Sequence, residues 1–363
     1  MHGLRRGTTI IVTIAALMAV GATGVATADA APRKFYGVVP QTSLGGRDYQ
    51  LMHNGGVGVV RMPLIWPAAD PGPGGEFTWG SFDEVVAGAA RQGITVLPFI
   101  SGTPTWVATG LDHHQCGSSC PLYAPRSGAA LAAWRDFIGA AVDRYGPDGR
   151  FWTEHPSLPK KAIRAWQIWN EQNSSSFFRP KPSPQAYAKV LDSAARAIRP
   201  RDPGADIVLG GMAGLSGSSK AITGWKYLHK LYRVGGAKSD FDGVGIHPYG
   251  ASLGAVQDQV DRFYKEIKRA HDTKAGLWVT EIGWGSNSGG NPLSQGKKGQ
   301  AKRLTETYRY FAHNRGRLNV KTVDWFSWKD SASSICAWCA KSGLRTGSLK
   351  AKPAMRAFKR EAR

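Results

Sequence analysis

The chain has 363 residues, of which 42% are hydrophobic and 20% charged. This composition supports a sizeable buried core and excludes global disorder. The 45 Gly and 21 Pro are spread along the sequence, which excludes a collagen-like or low-complexity protein. Lys and Arg number 47 against 26 Asp and Glu, giving a net charge of +21.

The first 30 residues have the three parts of a secretory signal peptide. Arg5 and Arg6 form the positive start, residues 9–20 are apolar, and Ala28-Asp29-Ala30 provides a small-residue cleavage site. A membrane anchor is the alternative, but the apolar stretch is shorter than the ~20 residues that a span needs. We therefore predict a signal peptide at 1–30 and a secreted, extracellular domain at 31–363 without a membrane span.

Eight short apolar segments alternate with helical patterns along the mature sequence. Continuous apolar runs of this kind are typical of strands buried on both faces of a parallel sheet. Eight strands alternating with helices predict an α/β protein, a single (β/α)8 TIM barrel. The predicted strands are residues 35–39, 57–65, 94–100, 163–169, 206–209, 241–246, 277–280 and 323–328.

Two glutamates follow predicted strands directly, where a barrel places its functional side chains. Glu171 follows the fourth strand in Trp169-Asn170-Glu171, and Glu281 follows the seventh in Thr280-Glu281-Ile282-Gly283-Trp284. Such a carboxyl pair can protonate a glycosidic oxygen and attack an anomeric carbon. One glutamate alone could equally pair with an arginine, but two at these positions favour glycoside hydrolysis.

These two motifs, with His247-Pro248-Tyr249 after the sixth strand, resemble clan A retaining glycoside hydrolases. Residues 35–41 (Phe-Tyr-Gly-Val-Val-Pro-Gln) and the overall layout make the sequence most similar to family 39-like enzymes, with family 5 as a neighbour. The resemblance covers about residues 33–360. One departure is Gln172-Asn173, where relatives often have Pro-Asn, and it affects neither catalytic role.

The resemblance implies a retaining enzyme that cleaves β-glycosidic bonds of a poly- or oligosaccharide by double displacement. It makes Glu171 the acid/base and Glu281 the nucleophile. Asn170 is then expected to hold the sugar 2-hydroxyl. Arg61, His247 and Tyr249 are expected to orient the nucleophile or contact substrate, although a buried structural histidine is the alternative for His247.

Five tryptophans lie at or just beyond predicted strand ends, where flat aromatic faces can bind the apolar faces of sugar rings. Burial in the core is the alternative, above all for Trp169. We expect at least two of the five to line a cleft, and we predict substrate contacts for four of them: Trp66, Trp106, Trp284 and Trp328.

The four cysteines form two close pairs, Cys116 with Cys120 and Cys336 with Cys339. In an exported protein such pairs predict disulfides. Three connectivities exist, and the two local bridges are the favoured ones. A zinc site made by the four cysteines, helped by His113 and His114, is the alternative.

The mature chain keeps a charge near +20, which favours binding to an anionic cell-wall or matrix polymer. A simple solvated basic surface is the alternative. The sequence has no run of five basic residues and no nucleic-acid recognition motif, so nucleic acid is not the expected partner. No nucleotide-binding or metal-binding motif is present, so we expect neither a cofactor nor a metal. We also expect the protein to be a monomer. The competing function is a carbohydrate-binding barrel that has lost catalysis.

Overall fold

A computed structural model describes residues 31–214, 220–332 and 336–363, so the predicted signal peptide lies outside the described residues. Eight parallel strands close into a barrel, which confirms the predicted (β/α)8 fold. The strands are β1 Tyr36–Val39, β2 Val59–Ile65, β3 Thr95–Ser101, β4 Ala165–Ile168, β5 Asp206–Leu209, β6 Gly243–His247, β7 Gly276–Ile282 and β8 Val320–Phe326.

Closure of the barrel depends on two seams. β1 pairs with β8 from Tyr36 opposite Val323 onwards. β5 meets β6 where Val208 lies opposite Gly243. After Gly210-Gly211 the fifth strand resumes as the short segment Met212–Ala213, which pairs with the end of β6. The fifth strand therefore pairs with β6 through two separate segments, β5 itself and Met212–Ala213.

The outer layer consists of helices that mostly follow the strands. Ser183 caps the helix Pro184–Ile198, because its hydroxyl oxygen accepts a hydrogen bond from the Ala186 amide at 3.1 Å, as the Ser-Pro start predicts. None of the described helices is long and apolar enough to cross a membrane. The helices are α1 Gly46–Gly55, α2 Trp66–Ala69, α3 Gly80–Arg91, α4 Gly128–Tyr145, α5 Arg150–Glu154, α6 Pro184–Ile198, α7 Gly224–Tyr232, α8 Leu253–Arg269, α9 Gly296–His313, α10 Arg315–Leu318 and α11 Pro353–Glu361.

The core has two parts. The larger part lies between the strands and the outer helices. The smaller part fills the lower barrel interior, near the strand starts, with Val59, Leu97, Val208 and Trp278. Nearer the C-terminal ends of the strands, the buried side chains become polar. The apolar lower layer thus serves as a floor beneath a polar upper layer.

Two glycines make room for polar side chains inside the barrel. Gly37 on β1 lies opposite Asp324 on β8, and a β-carbon at position 37 would overlap the Asp324 carboxyl oxygen. A β-carbon at Gly211 would likewise overlap the His247 ring. Each polar group therefore occupies space that a side chain on the neighbouring strand would fill.

The prediction that several strand-end tryptophans line a cleft is wrong. Trp66, Trp284 and Trp328 are 0% exposed and Trp169 is 1% exposed, so none presents an open face to a sugar. Trp66 enters α2 and stacks on Phe137 with ring centroids 5.8 Å apart. Trp284 donates to the Gly250 carbonyl, and Trp328 donates to Asp48, both at 2.8 Å.

Both local disulfides, Cys116–Cys120 and Cys336–Cys339, are present in the structure. They lie in the loops that follow β3 and β8, at the same end of the barrel. All four cysteines are consumed in these bridges, so they do not form the zinc site that the spacing also allowed.

The packing of Trp66 predicts a structural role. Trp66→Ala should lower the free energy of unfolding by about 3–5 kcal/mol, because it leaves a large cavity beside Trp134 and Phe137. Trp106→Ala, at a partly exposed side chain, is the matched control and should cost less. Urea unfolding measures both. A Trp66→Ala variant of unchanged stability and weakened sugar binding would contradict this assignment.

Candidate active site

Three predicted site residues converge at the C-terminal end of the barrel. Three side-chain atoms lie within 4.8 Å of one another: a carboxylate oxygen of Glu171, a ring nitrogen of His247 and a carboxylate oxygen of Glu281. The two glutamate side chains are each 13% exposed, whereas the His247 side chain has no exposed surface. The carboxylates therefore reach solvent at a narrow opening while the histidine supports them from within the protein.

Glu281 lies within β7 and is held from two sides. Arg61 Nη1 donates to Oε1 at 2.7 Å, and the Tyr249 hydroxyl donates to Oε2 at 2.8 Å. Charge-assisted bonds of this length are the stronger class of protein hydrogen bonds. Both carboxylate oxygens therefore have a donor, and the position of the group is fixed.

Arg61 is fully buried and uses its guanidinium to join three positions. Besides Glu281, it donates from Nε to Gln167 Oε1 at 2.6 Å and from Nη2 to Asn170 Oδ1 at 2.7 Å. Its charged centre also lies 4.2 Å from the centroid of the Phe99 ring, a favourable cation–π distance. The predicted residues Arg61 and Asn170 thus belong to one network.

Glu171 stands on an unusual turn after β4. Trp169 and Glu171 have φ values of 72° and 43°, a left-handed region that is costly for residues other than glycine and is enriched at functional sites. The Glu171 amide donates to the Gly211 carbonyl at 3.1 Å. His247 Nδ1 lies 2.9 Å from Glu171 Oε1. The turn and the histidine together fix Glu171 at the barrel mouth.

The electrostatics favour a charged Glu281. Burial opposes ionisation, but the charges of His247 and Arg61 and the hydrogen bonds from Tyr249 and Arg61 outweigh it and lower the pKa of Glu281. Burial, followed by the negative charge of Glu281, raises the pKa of Tyr249, so its hydroxyl remains a donor. Glu281 is therefore an anion poised beside Glu171, the state that a nucleophile needs.

Asp324 is a third carboxyl in this part of the barrel, and the sequence reasoning missed it. It is fully buried on β8, and Thr322 donates to its Oδ1 at 2.6 Å. Burial raises its pKa to about 7, against the hydrogen bond from Thr322 and the charge of Arg61. An Asp inside an apolar strand was the available signal, since Asp is almost never fully buried unless it is paired.

Trp338 was also missed. Its ring packs edge-on against Tyr249, with centroids 5.2 Å apart, and lies 6.0 Å from the Phe326 ring. The Cys336–Cys339 bridge closes the short segment that carries it, and Gln41 Nε2 donates to the Cys339 carbonyl at 2.8 Å. This loop therefore supports the tyrosine that holds Glu281.

Trp106 is the one predicted substrate-contacting tryptophan with exposed surface. Its Nε1 donates to Asp70 Oδ1 at 3.1 Å, joining the loops that follow β2 and β3. These loops lie at the same end of the barrel as the two glutamates, so Trp106 remains the candidate for an aromatic contact at the rim.

Comparisons with known proteins support the fold. Neither a scan against protein-family models nor a search of curated proteins gave a match. Solved structures do match, at 14–18% identity. A family 39 glycoside hydrolase from Bacteroides cellulosilyticus WH2 superposes with a TM-score of 0.66 and 18% identity over 91% of this chain.

Two other solved structures extend this result. A monomeric β-xylosidase from Caulobacter crescentus CB15 matches over 90% of this chain and 67% of its own, with 18% identity and a TM-score of 0.63. A GH5_18 protein from Bifidobacterium longum subsp. infantis matches over 90% and 78%, with 17% identity and a TM-score of 0.61. This chain spans 63% of the length of the family 39 hydrolase. The expected similarity to families 39 and 5 is thus confirmed at the level of the fold.

The hydrogen bond from Tyr249 predicts a pH effect. Tyr249→Phe removes a bond that lowers the pKa of Glu281, so that pKa rises, as measured by an NMR pH titration of the Glu281 carboxyl carbon. The shift should be about 0.5–1 unit, because bonds to charged groups contribute about 1.5–3 kcal/mol and water replaces part of this. Tyr232→Phe is the control, because its hydroxyl donates to Asp272 in the loop before β7, at the opposite end of the barrel from the site. An unchanged pKa of Glu281 would contradict the assignment.

The packing of Trp338 predicts a smaller effect in the same direction. Trp338→Ala should loosen Tyr249 and raise the pKa of Glu281 by less than Tyr249→Phe does. In the Tyr249→Phe background it should cause no further shift, since residues that act through one bond are not additive. Trp225→Ala, on α7, is the control. Additive shifts would show that Trp338 acts on Glu281 by another route.

Proposed function

We propose that this protein is a secreted retaining glycoside hydrolase that cleaves β-glycosidic bonds of a poly- or oligosaccharide. The observation that carries the proposal is the approach of Glu171 and Glu281, whose nearest ligating oxygens lie within 4.8 Å. Retaining enzymes keep their carboxyls about 5–5.5 Å apart, whereas inverting enzymes need about 6.5–9.5 Å to admit a water. The short distance supports a carboxylate nucleophile.

In the first step, Glu171 donates a proton to the glycosidic oxygen as the bond to the anomeric carbon breaks. Glu281 attacks that carbon and forms a covalent glycosyl ester. Arg61 and Tyr249 keep Glu281 ionised and aimed. Because Arg61 occupies the Asn170 amide oxygen, the Asn170 NH₂ group is oriented to donate to the sugar 2-hydroxyl.

In the second step, Glu171 takes a proton from water as the water oxygen attacks the anomeric carbon. The ester bond to Glu281 breaks, which returns Glu281 to its anionic form and Glu171 to its acid form. His247 is the contact of Glu171 in both steps. Its own ring is steadied by Thr280, whose hydroxyl lies 3.1 Å from Nε2.

The alternative is a barrel that binds carbohydrate without cleaving it. The completeness of the network favours catalysis, because both glutamates and every donor to Glu281 are in place. Secretion belongs to the same proposal: residues 1–30 would be removed on export, and the two disulfides are compatible with an oxidising compartment.

Substitution of the two glutamates should separate their roles. Glu171→Ala should lose about 10²–10⁴-fold activity on substrates with poor leaving groups and much less on activated aryl glycosides, which leave without acid help. Azide should rescue Glu171→Ala with retention and Glu281→Ala with inversion, as measured by NMR of the anomeric product.

Glu154→Ala is the matched control, because this glutamate pairs with Arg144 on the outside of the barrel and should leave turnover unchanged. An inverted anomeric product from the unsubstituted protein would remove Glu281 as the nucleophile. Absence of any turnover across a panel of aryl β-glycosides and polysaccharides would favour the binding barrel instead.

A further inference from the structure

The positive charge of the protein is concentrated near its C-terminus. Residues 296–363 contain 17 Lys and Arg but only 4 Asp and Glu. This stretch of 68 residues therefore carries a net charge of +13, about two thirds of the total for residues 31–363. Of its carboxyls, Asp324 is fully buried and Asp330 pairs with the buried Lys352 at 2.8 Å. Glu306 and Glu361 are the two carboxyl side chains of this stretch that remain to neutralise its surface cations.

Two helices bring these cations onto one side of the barrel. α9 and α11 pack together through Tyr308 and Phe358, whose ring centroids lie 5.5 Å apart. They are also joined by the Arg309–Glu361 ion pair at 3.0 Å. We call their outward surface the basic flank. Its exposed cations are Lys297, Lys298, Lys302, Arg309, Arg356, Lys359, Arg360 and Arg363.

The carboxylates of the flank are outnumbered at close range. Each of the two remaining glutamates faces two cations within 4.0 Å: Glu306 with Lys302 and Arg303, and Glu361 with Arg309 and Arg360. Among the described residues, no carboxylate lies within ion-pair distance of the other five cations, Lys297, Lys298, Arg356, Lys359 and Arg363. Like charges held together in this way repel, and a bound polyanion relieves the repulsion.

We propose that the basic flank binds a linear acidic polysaccharide, a role that does not depend on the proposed hydrolysis. α9 has 18 residues and is about 27 Å long, so its cations can meet successive charges of one extended chain. Tyr308, Phe311 and Phe358 are buried, and Tyr310 is partly buried against Phe311. These rings do not form the row of exposed aromatic faces on which single-stranded nucleic acid stacks. Met355 is also buried, so the apolar side of α11 packs against the protein and is not exposed for insertion into a membrane.

The test compares two variants of equal net charge. The flank variant is Lys298→Gln/Arg356→Gln/Lys359→Gln/Arg363→Gln. The control is Lys160→Gln/Lys161→Gln/Lys226→Gln/Lys230→Gln, four exposed cations on other parts of the barrel. Binding of the full mature chain to polygalacturonate is measured by calorimetry from 0.05 to 0.5 M NaCl, and urea unfolding checks that both variants fold.

The flank variant should bind polygalacturonate at least tenfold more weakly at low salt and show a shallower salt dependence. The control should change binding by less than threefold. Equal losses in both variants would overturn the proposal, because net charge alone would explain them. Tighter, flank-dependent binding to single-stranded DNA or to phosphatidylserine vesicles would also overturn it, in favour of nucleic acid or a membrane.

Discussion

The buried guanidinium of Arg61 is the group on which the site depends. It lies on β2 without exposed surface and reaches Gln167 on β4, Asn170 beyond β4 and Glu281 on β7. A buried charge is costly unless it is paired and hydrogen-bonded. An ionised Glu281 therefore stabilises the buried Arg61, so the ion pair that supports this part of the barrel also favours the charged state of Glu281.

The same network extends beneath the cleft to Glu171. Gln167 accepts from Arg61 and donates to the Thr280 hydroxyl at 3.1 Å. Thr280 lies 3.1 Å from His247, which lies 2.9 Å from Glu171. The two carboxylates are thus joined by side chains from the barrel interior. Above the apolar floor, the upper barrel is held by polar contacts rather than by close-packed aliphatic groups.

Much of this arrangement follows from the sequence because topology restricts it. Apolar runs alternating with helical patterns predict the barrel, and the rule that strand ends carry the site brings Glu171 and Glu281 together without knowledge of any contact. The strand bounds were less exact. The seventh predicted strand stopped at Thr280, whereas β7 runs to Ile282 and includes Glu281.

Other features depend on contacts that no local pattern reveals. Whether a tryptophan after a strand faces a cleft or the helical layer depends on the turn that follows, and Trp66 enters α2 and the core. Trp338 packs on Tyr249, 89 positions earlier in the chain. Asp324 is accommodated by the glycine opposite it on β1. Each of these depends on tertiary packing.

The close contact between Gly37 and Asp324 places a constraint on how related sequences can diverge. Gly37 cannot gain a side chain while Asp324 keeps its carboxyl, and Gly211 cannot gain one while His247 keeps its ring. A side chain at either glycine therefore requires that the facing polar group first be lost or moved. In an alignment of relatives, positions 37 and 324 should therefore covary, and a bulkier residue on β1 should mark descendants in which the buried acid has been lost.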